Sequence, residues 1–125
     1  MKILVIDDED CMQSIISAFI TRYASEKNME LSVHGITDPV QALFELTVQG
    51  NQYGLITLDI RMPKLMGDEI VSSLLHINPE LLERTIITTG FGKDLDERFP
   101  GHNYRVLEKP FRYQLFKASV EGIVQ

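Results

Sequence analysis

The sequence predicts an α/β fold, a doubly wound parallel sheet with helices on both faces. Short apolar runs alternate with segments of helical periodicity along the chain. The runs are almost continuously apolar, which is typical of parallel strands buried on both faces. At 125 residues the chain has the length of one domain, and we expect residues 1–125 to fold as a single unit.

Five segments are predicted to be strands, and the second has the weakest pattern. They are residues 2–7, 30–35, 53–59, 85–89 and 104–108. Five helices are predicted from apolar residues at helical spacing. They are residues 11–26, 38–50, 67–77, 93–99 and 111–124.

Local signals set the helix boundaries. Asp10 is a predicted N-cap for the first helix, and Asp38 followed by Pro39 starts the second. Gly50 is predicted to end the second helix, and Pro100-Gly101 the short fourth one. The apolar residues of the helical pattern are Ile15, Ile16, Phe19, Ile20 and Tyr23 in the first helix, Val40, Leu43, Phe44 and Leu46 in the second, and Phe111, Leu115, Val120 and Ile123 in the fifth.

The acidic composition excludes several classes of protein. The net charge is −6, and the phosphate backbone of nucleic acids needs a basic surface, so we expect no direct nucleic-acid binding. Cys11 is the only cysteine, which excludes an internal disulfide and a cysteine-based zinc cluster. No apolar run approaches the roughly 18 residues that suggest a membrane span. Met1-Lys2 leads straight into the first strand without a signal peptide, so we expect a cytoplasmic protein.

Four predicted strands end on residues that can bind a metal ion or a phosphoryl group. Asp7-Asp8 follow the first strand, Asp59 ends the third, Thr89 ends the fourth, and Lys109 follows the fifth. Ligands of open α/β sheets bind outside the carboxyl ends of the strands, so we expect these side chains to converge. Carboxylates in a partly dry crevice repel each other, and a divalent cation removes that repulsion. Oxygen ligands of this kind suit Mg²⁺.

Each of these residues also has an ordinary structural explanation. Asp7-Asp8 could cap the first helix, Asp59 could start a turn, and Lys109 could be a solvated surface lysine. The chemical interpretation makes the Asp59 carboxylate a nucleophile toward phosphorus and Lys109 a point charge for phosphoryl oxygens. Thr89 is either a β-branched strand residue or a hydroxyl donor to the same group. No single position decides between these explanations, but the expected convergence of the four strand ends favours the metal and phosphoryl chemistry.

Five short motifs occur in order along the chain. They are Ile3-Leu4-Val5-Ile6-Asp7-Asp8-Glu9, Leu58-Asp59-Ile60-Arg61-Met62-Pro63, Gly67, Ile86-Ile87-Thr88-Thr89-Gly90 and Lys109-Pro110-Phe111. In this order they resemble the receiver domain of a two-component response regulator, and the resemblance covers essentially the whole chain. It implies a flavodoxin-like sheet of five parallel strands in the order 2-1-3-4-5.

The resemblance also implies roles for the acidic residues. Asp59 would be the phosphoacceptor. Asp8 and Asp59 would bind Mg²⁺ (or Mn²⁺) directly, and Asp7 would act mainly through water. The backbone carbonyl of Arg61 would be a further metal ligand.

Thr89 would be the switch hydroxyl and Lys109 the phosphoryl-binding lysine. Receivers take a phosphoryl group from a sensor histidine kinase or a histidine phosphotransfer protein, and they catalyse only their own phosphorylation and dephosphorylation. The resemblance therefore implies a phosphorelay switch that acts on a downstream protein target or a fused output domain. We expect a monomer or a weak dimer, either standing alone or cut from a larger regulator or hybrid kinase.

Two departures from the family pattern concern switching and phosphoryl lifetime. Val106 stands where the family often has an aromatic residue that moves together with the switch hydroxyl, and Tyr104 lies one pleat away on the same side. Arg61 and Phe91 occupy the two positions that commonly tune dephosphorylation. Neither side chain is a carboxylate or an amide that could orient an attacking water, which predicts a comparatively long-lived phosphoryl group.

The sequence is also compatible with two other function classes. A Mg²⁺-dependent phosphatase with an aspartyl nucleophile would need a hydroxyl residue after Asp-x-Asp, but Cys11-Met12 follow Asp8-Glu9-Asp10. A receiver-like binding module that takes no phosphate is the other alternative. The intact acidic set, together with Thr89 and Lys109, argues against it.

Overall fold

A computed structural model describes residues 1–62 and 67–124. The described strands form one five-stranded sheet in the order β2-β1-β3-β4-β5, and every neighbouring pair is parallel. The strands are β1 (Lys2–Ile6), β2 (Ser32–Ile36), β3 (Tyr53–Asp59), β4 (Thr85–Thr89) and β5 (Arg105–Glu108). This confirms the predicted doubly wound, flavodoxin-like arrangement. Pro63, part of one predicted motif, lies outside the described residues.

Helices cover both faces of the sheet. They are α1 (Asp10–Lys27), α2 (Pro39–Gln49), α3 (Gly67–Ile77), α4 (Lys93–Arg98) and α5 (Tyr113–Val124), with 3₁₀ turns at Gly50–Gln52 and Pro79–Arg84. Because side chains alternate along a strand, β1 sends Ile3 and Val5 into the core under α1 and α5. Leu4 and Ile6 enter the core on the other face, under α2, α3 and α4. The two cores hold β1 and β3 rigidly in the middle of the sheet.

Several boundaries differ from the prediction. Asp10 is the first residue of α1 and not its N-cap; Glu9 occupies the cap position with an extended backbone and no capping side-chain hydrogen bond. The N–H of Glu9 donates instead to Oδ1 of Asp7 at 2.9 Å, so the site residue shapes the turn into α1. Asp38 is the predicted N-cap of α2 and accepts the N–H of Gln41 at 3.1 Å. Gly50 ends α2 but continues into a 3₁₀ turn.

Several helical residues predicted to be apolar contacts lie on the surface. Ile16, Ile20 and Tyr23 are buried as the pattern indicates, but Ile15 is 42% exposed. Phe44 on α2 and Leu115 on α5 are also exposed. Successive helix residues are separated by about 100°, so the apolar residues of a helix can form a broad stripe. The sheet beneath the helix buries only part of that stripe, and the remainder is exposed.

The fourth helix is short, as predicted. It has six residues, Lys93–Arg98, and Phe99 follows it outside the helical conformation. Gly101 has a φ of 75°, which favours glycine in the turn before β5. Across residues 1–62 and 67–124, no helix is long and apolar enough to cross a membrane.

Candidate functional site

The ends of four strands meet at the carboxyl edge of the sheet. Asp7 follows β1 and is fully buried, while Asp59 is the last residue of β3 and is 3% exposed. Lys109 follows β5 and extends its ammonium between them, 3.0 Å from Oδ2 of Asp7 and 3.4 Å from Oδ1 of Asp59. Thr89 ends β4 beside them and is also buried. The predicted convergence of these residues is therefore present.

Asp8 completes a group of three carboxylates. An oxygen from each of Asp7, Asp8 and Asp59 lies within 4.8 Å of the others. Ligands on opposite sides of a Mg²⁺ ion are about 4 Å apart, because each Mg–O bond is about 2.1 Å long. The three carboxylates could close on such an ion with small adjustments. The donor set, oxygen only and anionic, fits a hard divalent cation.

Backbone N–H groups orient two of the carboxylates. Oδ1 of Asp59 accepts the N–H of Arg61 at 3.1 Å, and Oδ1 of Asp7 accepts the N–H of Glu9. Both are short turns in which an aspartate accepts a hydrogen bond from the residue two positions later. Such turns hold the carboxylates toward the crevice.

The charges in the crevice are unbalanced. The pKa of the Asp59 carboxyl is raised to about 6, first because the group is buried and then because the Asp7 carboxylate is close. The N–H of Arg61 and the ammonium of Lys109 oppose this shift. Burial alone lowers the pKa of Lys109, but the two carboxylates outweigh it and the pKa lies above its usual value. The ammonium of Lys109 therefore faces two carboxylates, and the excess negative charge of the crevice favours binding of a further cation.

The hydroxyl of Thr89 contacts the loop that follows it. Its Oγ1 accepts the N–H of Phe91 at 3.1 Å and donates to the carbonyl of Phe91 at 3.3 Å. The carbonyl of Thr89 accepts the N–H of Lys109 at 2.7 Å, which joins the ends of β4 and β5. The predicted switch hydroxyl is thus held by its own loop in this structure.

One supporting residue was missed from the sequence. Gln13, in the first turns of α1, places Nε2 3.1 Å from the carbonyls of Val5 and Asp7 and 3.0 Å from that of Ile36. A side chain on Gly35 would collide with it. Gln13 therefore fixes the ends of β1 and β2 beside the acidic group. No local pattern marks it, since a glutamine early in a helix is ordinary.

Two of the positions that depart from the family pattern, Val106 and Phe91, differ in burial. Val106 is half-buried in β5 and lies against the core under α2, α3 and α4. Tyr104 lies against the same core, as predicted, with its ring 5.8 Å from that of Phe99 and stacked 5.1 Å from that of His102. Phe91 is 56% exposed in the loop that follows β4.

An open parallel sheet with an acidic crevice at its carboxyl edge defines a class of doubly wound proteins that bind ligands there. The sequence of residues 3–121 matches the response regulator receiver domain family. The chain belongs to this family.

Solved structures and curated proteins agree with that assignment. A receiver domain protein from Clostridium thermocellum is 25% identical, with a TM-score of 0.80 over 98% of this chain and 93% of that one. The receiver domain of a sensor histidine kinase from Pseudomonas aeruginosa, with a magnesium ion coordinated in its active site cleft, is 22% identical, with a TM-score of 0.78 over 98% and 95%.

A protein-glutamate methylesterase/protein-glutamine glutaminase of Vibrio vulnificus is 30% identical over 79 residues, 63% of this chain and 21% of that protein. The match thus spans about a fifth of that curated relative.

Proposed function

We propose that this receiver domain accepts a phosphoryl group on Asp59 from a phosphohistidine, in a reaction that needs Mg²⁺ or Mn²⁺. The donor is a sensor histidine kinase or a histidine phosphotransfer protein. The phosphorylated domain then presents a changed surface to a downstream protein or a fused output domain. The observation that carries the proposal is the asymmetric environment of the Asp59 carboxylate.

The two oxygens of Asp59 have different surroundings. Oδ1 contacts both the ammonium of Lys109 and the N–H of Arg61. Within residues 1–62 and 67–124, Oδ2 makes no such contact. Oδ2 can therefore attack phosphorus, forming a P–O bond as the P–N bond to the donor imidazole breaks. The imidazole nitrogen keeps the electron pair and takes up a proton.

Other residues stabilise the transferred group. Lys109 is close enough to exchange one carboxylate contact for a phosphoryl oxygen, and it neutralises charge as the bond forms. Thr89 supplies a hydroxyl donor from the adjacent strand end. The carboxylates of Asp7, Asp8 and Asp59, with the Arg61 carbonyl, would hold the metal ion. A bound Mg²⁺ would offset the negative charge on the phosphoryl oxygens.

Intact mass spectrometry after incubation with acetyl phosphate tests the proposal. With Mg²⁺, the parent should gain one phosphoryl group, and it should gain none with a chelator. Asp59→Asn should gain none, and Asp10→Asn should behave like the parent, because Asp10 is exposed on the first turn of α1. No gain by the parent under any condition would reject the proposal and favour a phosphate-independent binding module.

A further inference from the structure

Two side chains hold the loop between β4 and α4, which consists of residues 90–92. One is Thr89, whose hydroxyl contacts the N–H and the carbonyl of Phe91. The other is Glu108, whose Oε1 accepts the N–H of Gly92 at 3.0 Å. The loop is thus attached to β4 through a hydroxyl and to β5 through a carboxylate.

Glu108 is well placed for this contact. It is the last residue of β5 and pairs with Thr89 in the sheet register. It also directly precedes Lys109, whose N–H donates to the carbonyl of Thr89. A Cβ on Gly92 would overlap the Glu108 carboxylate, so the contact depends on glycine at this position.

The hydroxyl of Thr89 has one proton. In this structure the proton goes to the Phe91 carbonyl, 3.3 Å away. Under the proposed function, on which this inference rests, the same proton would go to a phosphoryl oxygen on Asp59. The Phe91 carbonyl and the phosphoryl group then compete for the Thr89 hydroxyl. Any contact that holds residues 90–92 in place favours the hydrogen bond to the Phe91 carbonyl.

We infer that Glu108 is a positioning residue that holds residues 90–92 in the unphosphorylated arrangement and so opposes capture of the phosphoryl group by Thr89. Removing its acceptor frees the loop and raises the affinity of the site for a phosphoryl group. The carboxylate charge is not required, because a neutral amide oxygen accepts the same N–H.

Binding of beryllofluoride, a phosphoryl mimic, in saturating Mg²⁺ tests this by isothermal titration calorimetry. Glu108→Ala should bind about two- to tenfold more tightly than the parent, the range expected from losing one ordinary hydrogen bond. Glu108→Gln removes the same charge but keeps an acceptor, and it should bind like the parent. Gly92→Ala, which displaces the carboxylate, should change affinity in the same direction as Glu108→Ala.

The outcomes separate the two proposals. Equal affinities for Glu108→Ala and Glu108→Gln would overturn the inference, because either the charge alone would matter, if both differ from the parent, or neither charge nor contact would, if both match it. Weaker binding by Glu108→Ala would overturn it as well. A parent that neither binds the mimic nor gains mass with acetyl phosphate would reject the proposed function, and the inference with it.

Discussion

The ammonium of Lys109 lies closer to Asp7, at 3.0 Å, than to Asp59, at 3.4 Å. The carboxylate proposed to react is therefore the less well neutralised of the two. Its raised pKa has the same origin, because burial and the charge of Asp7 outweigh what Lys109 and the Arg61 N–H contribute. The uncompensated charge on Asp59 favours binding of a cation. Without that cation, the same charge lowers the stability of the fold.

We expect Asp59→Asn to stabilise the protein at pH 7.5 without Mg²⁺. The folded-state pKa of Asp59, about 6, lies above its usual value of 3.8, so the folded state binds this proton more tightly than the unfolded state. The contribution of Asp59 to stability is full below about pH 4 and is lost as the pH rises through about 6. The gain should be about 1–3 kcal/mol at pH 7.5 and should shrink toward pH 4.5. Urea unfolding at both pH values measures it, and equal gains would contradict the assignment to ionisation.

Mg²⁺ should raise the melting temperature of the parent more at pH 7.5 than at pH 5. Below the Asp59 pKa of about 6, protons compete with the metal for the same carboxylate. The apparent affinity should fall by up to about tenfold per pH unit there. Differential scanning calorimetry at fixed Mg²⁺ gives the comparison. The idea fails if the metal raises the melting temperature equally at both pH values.

Lys109→Met should destabilise the fold by about 2–4 kcal/mol at pH 7.5, because it leaves two buried carboxylates without their ammonium. The loss should be smaller in an Asp59→Asn background, where one of those charges is already gone. Lys117→Met is a matched control, since the Lys117–Glu26 pair is solvent-accessible and its loss should cost far less stability than the loss of Lys109. Chemical denaturation of all four variants measures these differences. An equal loss from Lys109→Met in both backgrounds would exclude the charge explanation.

Thr57→Val should stabilise the protein by about 0.5–1.5 kcal/mol. The Thr57 hydroxyl is buried and has no hydrogen-bonding partner among the described residues. Its strand neighbours in register are Val5 and Ile86, which are apolar. Thr85→Val is the matched control, because the equally buried Thr85 hydroxyl donates to the Leu81 carbonyl at 2.7 Å and its loss should destabilise. Urea unfolding that shows the same sign for both substitutions would refute this.

The phosphoryl group on Asp59 should be lost slowly, because neither Arg61 nor Phe91 has a carboxylate or an amide that could orient a water molecule for attack. Arg61→Asn combined with Phe91→Glu should shorten its lifetime by about tenfold or more, as expected of a positioned polar group. Intact mass followed over time after removal of acetyl phosphate measures the loss. The parent is the control, and a double variant that decays no faster would disprove the explanation.

The sequence was a good guide to the strands and to the residues that end them. β3 and β4 have the predicted bounds, because an apolar run that stops at Asp59 or Thr89 marks both the strand and its chemistry. β2 was predicted two residues too early at its start. It is an edge strand with four exposed residues, so little apolar pattern exists to fix its position.

Contacts between distant segments could not be predicted. Gln13 reaches three carbonyls from two strands, and Glu108 reaches Gly92 across 16 residues of sequence. Neither polar residue has a local pattern that indicates its partners, and only the packing of helices and strands brings them together. The exposure of Leu115 was missed for a related reason, since periodicity shows a stripe but not how much of it the sheet covers.

Gln13 has a consequence for the direction in which a change at Asp59 can spread. Its amide fastens β1 to β2, so one flank of the acidic crevice resists displacement. The opposite flank is attached through the side chains of Thr89 and Glu108, and under the proposed function a phosphoryl group can compete for the Thr89 hydroxyl. The β1–β2 side of the crevice is therefore more firmly held than the β4–β5 side. Under the proposed function, we therefore expect a change at Asp59 to spread through β4, β5 and α4.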